Sequence, residues 1–221
     1  MTVSNLALRA AGRPPQSMQV REDLIHHARL LFITQPYEKV SLRKVALNAE
    51  VNMAMIRYYF NNKAGLFETM LRETLSPLHR LMEQTHASEG LNKELNKEIN
   101  LLLALMTQFY QVMSKHKDFP RLISRTMQLS KDAEPRIIVE KIMMEHLPIM
   151  QNKIKTELNS EQVLQAGVSP QFSYFSMLNL LIFPFVAPPE ILKLHGITID
   201  DDFLSNLLEH NIRLLKQGIM N

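Results

Sequence analysis

The 221-residue sequence contains no cysteine, which excludes several kinds of site. Without thiols the chain can form no disulfide, no zinc–thiolate site and no thiol-based active site, and a reducing cytoplasm suits it. Its first fifteen residues lack the apolar stretch of a secretory signal. The most apolar stretch, 175–189, contains three prolines and is shorter than the roughly 20 apolar residues that cross a bilayer. We therefore expect a cytoplasmic protein with no membrane role.

The motifs of common enzymes and metal sites are also missing. Only six glycines are present, none in a phosphate-binding loop, and neither Gly-x-Ser-x-Gly nor His-Glu-x-x-His occurs. The eight histidines show no metal-ligand spacing. Asp200, Asp201 and Asp202 precede an apolar-periodic run, where carboxylates typically cap a helix and interact with its positive end. We expect no enzymatic activity, no cofactor and no metal.

Positive charge is concentrated at one end of the chain. Residues 1–70 hold nine Lys or Arg against five Asp or Glu, whereas residues 71–221 hold sixteen against seventeen. This distribution is typical of a module that faces a polyanion and is joined to a neutral module, and equally of a solvated surface without a partner. Charge alone leaves both interpretations open.

Apolar residues recur at helical spacing along most of the chain. They indicate a first helix between Gln19 and Pro36, and Ser41 and Asn52 can cap two short helices that follow. A fourth helix should start near Lys63 and be kinked or ended by Pro77. Further periodic stretches lie at about 94–115, 119–130, 135–158, 171–186 and 201–217.

No alternating β-branched runs interrupt this pattern, so the sequence predicts an all-α protein. We expect a flexible basic arm at residues 1–18, a three-helix domain at 19–65 and a larger helical domain at 66–221.

Residues 41–60 fit a helix-turn-helix, because only Ala49-Glu50-Val51 separates the two short helices. Ile56 and Phe60 would face inward. The residues left for the outer face and its flanks are Met53, Ala54, Met55, Arg57, Tyr58 and Tyr59. No acid lies between Val51 and Phe67, so this face could enter the major groove without repelling phosphate. The alternative is a generic three-helix cluster whose core the tyrosines cover, and we expect one of the two tyrosines to do so.

The segment SLRKVALNAEVNMAMIRYYFNNKAGLFETML, residues 41–71, resembles the DNA-binding domain of the tetracycline-repressor (TetR) family, as does the preceding HARLLFITQPYEKV. The shared elements are an Ala-x-x-Leu-Phe first helix, an aromatic after a turn, an aromatic pair before Phe, and a Lys-x-x-Leu-Phe start to helix four. Here they are Ala28-Leu31-Phe32, Tyr37, Tyr58-Tyr59-Phe60 and Lys63-Leu66-Phe67. The rest of the chain resembles the family only in length and helical layout.

The resemblance implies which residues contact DNA. Ser41 and Lys63 would touch phosphates, and Arg43 would reach a base. The recognition surface would consist of Asn52, Met53, Met55, Arg57, Tyr58 and Tyr59.

Two further features of this region bear on DNA binding. The turn position that the family usually fills with glycine is Glu50, whose side chain in a left-handed conformation costs roughly 1 kcal/mol. Arg9, Arg13 and Arg21 could reach an adjacent minor groove, or belong to an arm without function.

One short recognition helix reads few base pairs, so regulators of this type commonly dimerise across half-sites about one helical turn, ~34 Å, apart. Two late helices carry apolar stripes that would form a four-helix interface in a dimer. The residues expected there are Phe175, Leu178, Ile182, Phe185, Leu204, Leu208, Ile212 and Leu215. Both stripes could instead face their own core, and the resemblance favours the dimer because the family usually uses its last two helices in this way.

A ligand pocket is expected between about 94 and 186, where methionine is frequent. Methionine adapts to irregular cavities and is equally ordinary as core filler. The candidate residues are Met106, Tyr110, Met113, Arg125, Met127, His146, Met150 and Tyr174. We expect an apolar small molecule, whose identity the sequence does not give.

These observations predict a sequence-specific transcriptional regulator that binds palindromic double-stranded DNA as a homodimer in the nucleoid. A repressor that a small molecule releases fits best. The alternative is a DNA-associated interaction or chromosome-organising factor on the same fold, without a small-molecule effector.

Overall fold

The computed structural model describes residues 16–87, 97–158 and 164–220, and over these residues the chain is helical. The helices are α1 (Gln16–Thr34), α2 (Leu42–Asn48), α3 (Ala54–Phe60), α4 (Lys63–Ala87), α5 (Lys97–Lys115), α6 (Phe119–Met127), α7 (Glu134–Leu158), α8 (Pro170–Val186), α9 (Pro189–Leu194) and α10 (Asp201–Gly218). A 3-10 turn, Tyr37–Lys39, follows α1, and one isolated β-bridge joins Leu164 to Met220. The all-α prediction is confirmed for this part of the chain.

The chain divides into two compact units, one up to Met70 and one from Leu71, so α4 contributes to both. The boundary expected after residue 65 stays a prediction. In the first unit α1, α2, α3 and the start of α4 enclose a core of apolar side chains. Its fully buried members include Leu24, Ala28, Phe32, Val45, Ile56, Leu66 and Phe67.

The first helix starts earlier than the sequence predicted. α1 begins at Gln16, directly after Pro15, so residues 16–18 belong to a helix and not to an arm. Arg21 lies within α1 with its guanidinium 5.8 Å from the centroid of the Phe60 ring, which places it in the packed unit. Expecting Arg21 on a minor-groove arm was therefore wrong, while Arg9 and Arg13 lie outside the described residues.

The turn between α2 and α3 is closed by a Schellman motif. The Glu50 amide donates to the Leu47 carbonyl at 3.1 Å, and the Val51 amide donates to the Ala46 carbonyl at 3.0 Å. Both bonds require a left-handed residue at position 50, and Glu50 has a φ of 54°. A carboxylate side chain thus occupies a backbone position that favours glycine.

Pro77 does not end α4, which continues to Ala87. A proline at this position removes the amide that would donate to the carbonyl of Glu73. The hydroxyl of Ser76 donates to that carbonyl instead, at 3.0 Å. The neighbouring serine thus supplies the missing hydrogen bond, and the helix can run on.

In the second unit a buried polar network joins three helices. Pro184 lies inside α8 and cannot donate to the carbonyl of Leu180. The hydroxyl of Tyr110 on α5 donates to that carbonyl at 2.8 Å, and the side-chain amide of Asn211 on α10 donates to the Tyr110 oxygen at 3.0 Å. Tyr110 and Asn211 are both buried. Each polar group in this chain of bonds has a partner, as burial requires.

Replacing Glu50 by glycine should stabilise the protein. In Glu50→Gly the strain of the left-handed conformation is relieved, and we expect the free energy of unfolding to rise by roughly 0.5–1 kcal/mol. Glu50→Gln removes the charge but keeps the strained side chain, so it serves as the matched control. Urea denaturation measures both variants, and an E50G protein no more stable than E50Q would contradict the strain.

Tyr110→Phe should destabilise the protein by about 1–3 kcal/mol, because the Leu180 carbonyl and the Asn211 amide are both left without a buried partner. The matched control is Tyr58→Phe, since the Tyr58 side chain is exposed.

The Tyr110 effect should also depend on pH. Burial raises the pKa of Tyr110 from 10.0 to about 12, partly offset by the hydrogen bond from Asn211. The folded state therefore keeps a proton that the unfolded state loses, and this stabilisation is lost as the pH rises from 10.0 to about 12. Urea denaturation at a series of pH values should show the difference between wild type and Y110F shrinking in that window, and a constant difference would contradict the assignment.

Candidate nucleic-acid interface

The third helix presents a mixed face of polar and apolar side chains to solvent. Ile56 and Phe60 are buried, which confirms their predicted inward orientation. Of the expected recognition residues on or before this helix, Asn52, Met53, Arg57 and Tyr58 are exposed, and Met55 and Tyr59 are half-buried. The exposed residues are available for contact with a partner.

The two adjacent tyrosines have different environments. Tyr58 is 77% exposed, whereas Tyr59 is half-buried and packs with its ring centroid 5.9 Å from that of Phe60. The rings of Tyr58 and Tyr59 meet edge to face at 4.9 Å. Tyr59 therefore covers the core and supports Tyr58, which projects its hydroxyl group into solvent.

Two side chains hold the helix starts at this surface. The Asn52 side-chain oxygen accepts from the Ala54 amide at 2.8 Å, and the Ser41 hydroxyl oxygen accepts from the Lys44 amide at 3.4 Å. Both side chains are exposed. Because a cap uses only the oxygen of Ser41 as an acceptor, the hydroxyl hydrogen can still be donated to an anion.

The exposed face of α2 contains an apolar residue that the sequence analysis did not single out. Arg43 is exposed as expected, and Leu47, four residues later on the same face, is 74% exposed. The available signal was its position outside the inward stripe that the sequence predicts for this helix, which consists of Leu42, Val45, Ala46 and Ala49. An exposed leucine beside a basic residue suits contact with thymine methyl groups.

The junction between α3 and α4 is too tight for any side chain at Gly65. A Cβ atom on Gly65 would lie 2.0 Å from the Phe60 carbonyl oxygen. The Asn62 side chain caps α4 by accepting from the Gly65 amide at 2.9 Å, and Asn61 adopts a φ of 68°. These three residues fix where the recognition helix ends and where Lys63 begins the next helix.

Lys63 stands at the start of α4 in a defined position. Its Nζ donates to the Glu38 carbonyl at 3.2 Å and lies 4.6 Å from the centroid of the Tyr37 ring. The ammonium therefore adds a full positive charge to the partial positive charge of a helix N-terminus. This combination favours a phosphate oxygen as a ligand.

Of the residues expected to line a pocket, Met106, Tyr110 and Met113 are buried in the second unit. The Tyr110 hydroxyl donates to the Leu180 carbonyl and accepts from the Asn211 side-chain amide, and its place in a ligand pocket stays a prediction.

The other pocket candidates have varied surroundings. Arg125 is exposed overall, but partial burial lowers the pKa of its guanidinium, and the negative charge of Asp118 acts in the opposite direction. Tyr174 is half-buried, and burial raises the pKa of its hydroxyl. Met127 is half-buried, and the side chains of His146 and Met150 lie outside the described residues. The pocket itself stays a prediction.

Of the residues expected in the dimer interface, some lie at the surface of the chain and others lie in its interior. Phe175 is 67% exposed, Ile182 is 40% exposed, and Leu178, Leu208 and Ile212 are half-buried. The remaining three, which are Phe185, Leu204 and Leu215, are at most 2% exposed within a single chain.

Placing Phe185, Leu204 and Leu215 in an interface was therefore wrong. Phe185 packs edge to face on Tyr110 and Phe109, and both leucines turn inward from α10. Phe172 and Phe183 on α8, which the prediction omitted, are exposed instead.

Asp200 directly precedes α10, and Asp201 and Asp202 lie in its first turn. The Asp200 side chain accepts from the Phe203 amide at 2.7 Å and so caps the helix. Across the described residues no group of three or more His, Cys, Asp or Glu is arranged to hold a metal ion. Among the same residues, none of the helices combines the length and apolar character that a membrane span needs.

Known proteins with similar sequences or folds include several regulators. The Bacillus subtilis (strain 168) protein called "Probable HTH-type transcriptional regulator YttP" is 25% identical over 174 residues, which is 79% of this chain and 81% of that protein. NalD, the secondary repressor of the MexAB-OprM multidrug efflux pump in Pseudomonas aeruginosa, is 20% identical with a TM-score of 0.61, covering 93% of this chain and 99% of its own. The FadR regulator of Bacillus subtilis, solved with stearoyl-CoA, is 16% identical with a TM-score of 0.61, covering 92% of this chain and 100% of its own.

The family model described as "Bacterial regulatory proteins, tetR family" matches residues 24–70, the part of the chain that contains α2, α3 and the start of α4. This match includes every residue of the candidate interface, and the YttP regulator extends the similarity over most of the chain. Over residues 24–70 the chain is therefore similar to the tetR family of bacterial regulatory proteins.

Proposed function

We propose that this protein is a repressor that binds a palindromic operator as a homodimer and is released by an apolar small molecule. Residues 19–65 would read DNA, and residues 66–221 would dimerise and hold the effector. The exposed, acid-free face of α3 is the observation that carries the DNA-binding part. Such a protein would reside on the nucleoid.

In the proposed complex α3 lies in the major groove. Arg57 can donate two hydrogen bonds to a guanine edge, and Met53 can contact a thymine methyl group. Tyr58, Ser41 and Lys63 are hydrogen-bond donors that suit phosphate oxygens flanking the groove. Base contacts would therefore come from the middle of the surface, and phosphate contacts from its edges.

The apolar face of α8 supports dimerisation. Phe172, Phe175 and Ile182 lie at helical spacing and are exposed, with Asn179 between them. An exposed stripe of large apolar side chains is typical of a surface that is buried in an assembly. A second copy of the same stripe, related by a two-fold axis, would cover it.

An effector site is proposed within the second unit. Met106 and Met113 bring flexible, polarizable side chains into its core, and such residues can repack around an apolar ligand. FadR of Bacillus subtilis, which shares the fold, was solved with stearoyl-CoA. A displacement screen with apolar molecules of graded chain length would test this part of the proposal.

Selection of bound sequences from a random duplex library tests the DNA-binding function, and a palindromic product is expected. On the selected duplex, Arg57→Ala should reduce the discrimination between the preferred base and others by ~1–3 kcal/mol. Lys63→Ala should weaken binding to all sequences alike. It should also reduce the slope of log affinity against log salt concentration by about 1, because one phosphate is no longer neutralised. Fluorescence anisotropy over a salt series measures both effects, and unchanged affinity in both variants would remove this surface from the interface.

Phe175→Glu should convert the proposed dimer to a monomer. A carboxylate at this position would be buried without a partner in the dimer and would weaken association by about 3 kcal/mol or more. Leu194→Glu is the matched control, because Leu194 is 85% exposed but belongs to α9 and not to the α8 stripe. Sedimentation velocity distinguishes the two, and an F175E protein that remains dimeric would exclude this face.

A further inference from the structure

The lysine that begins α4 is held by two contacts from the 3-10 turn. Tyr37 supplies its ring face 4.6 Å from Lys63 Nζ, and Glu38 supplies its carbonyl oxygen 3.2 Å from the same atom. The ring face carries negative charge, so it attracts the ammonium in the same sense as the carbonyl does. Both contacts come from a segment that lies about 25 residues earlier in the chain.

The Tyr37 ring is itself fixed by the core of the first unit. It stacks on Phe32 of α1 at a centroid distance of 5.6 Å and an interplanar angle of 16°. It also meets Phe67 of α4 edge to face at 5.2 Å. With two aromatic neighbours on different helices, the ring has little freedom to move, and it provides Lys63 with a rigid support.

We infer that Tyr37 is a positioning residue that holds the Lys63 ammonium ready for a DNA phosphate. A free lysine side chain loses most of its rotamer entropy when it forms a fixed contact. Lys63 is already restrained before DNA arrives, so less entropy is lost on binding. This role presupposes the DNA binding proposed above and assigns to Tyr37 a part beyond core packing.

A double-mutant cycle tests the inference on the full chain with a mixed-sequence duplex, because a phosphate contact does not need a particular base sequence. Tyr37→Leu keeps an apolar side chain but removes the ring, and we expect affinity to fall roughly two- to five-fold. Tyr37→Phe keeps the ring and should restore near-wild-type affinity. In a Lys63→Ala background, Y37L should cause no further decrease.

Lys44→Ala provides the matched background, since Lys44 is an exposed lysine on α2 of the same unit. There the decrease caused by Y37L should appear in full. If Y37L weakens K63A as much as it weakens wild type, Tyr37 acts through general packing and the inference is overturned. If the wild-type chain binds no duplex at all, the proposed function fails and the positioning role fails with it.

An NMR measurement without DNA keeps the inference testable if Y37L does not fold. Protons on the carbon bonded to Lys63 Nζ should be shifted upfield by the Tyr37 ring current, relative to the same protons of Lys44. An equal chemical shift for the two lysines would show that the ammonium is not held over the ring. That result would overturn the positioning role while leaving DNA binding itself intact.

Discussion

The packing of three aromatic rings is the constraint on which the first unit depends. Phe32 and Phe67 meet at 4.8 Å, and Tyr37 contacts both. These rings join α1, the 3-10 turn and α4, and thereby fix the frame against which α2 and α3 pack. In so small a unit few other large side chains are available, so removal of the Phe32 or Phe67 ring would displace the recognition helix.

A proline inside a helix has no amide to donate to the carbonyl four residues earlier. This missing donor explains several polar contacts in the second unit. Ser76 compensates for Pro77 locally, through a neighbour in the same helix. Tyr110 compensates for Pro184 from another helix, and Asn211 extends the network to a third. The carbonyl that a proline leaves without its amide donor is thus satisfied once by a neighbour in the same helix and once by a side chain from another helix. Only the second arrangement couples separate helices.

The backbone turns at the two ends of the recognition helix depend on three residues, which differ in the conformational strain of their backbone. Gly65 is required by the close approach of the Phe60 carbonyl, and Asn61 tolerates positive φ better than most residues do. Glu50 has no such advantage and occupies the left-handed position at a cost. The turn keeps its geometry because hydrogen bonds to Ala46 and Leu47 hold it in place.

The sequence by itself determined the helical class, the cap at Ser41 and the acid-free recognition face, because these depend on local spacing and on residue chemistry. It could not decide which apolar stripe faces inward when both sides of a helix are apolar. Only tertiary structure buried Phe185, Leu204 and Leu215 and left Phe172, Phe183 and Leu47 exposed. Burial is a property of neighbours that are distant in the chain, and a helical period defines a face without saying what covers it.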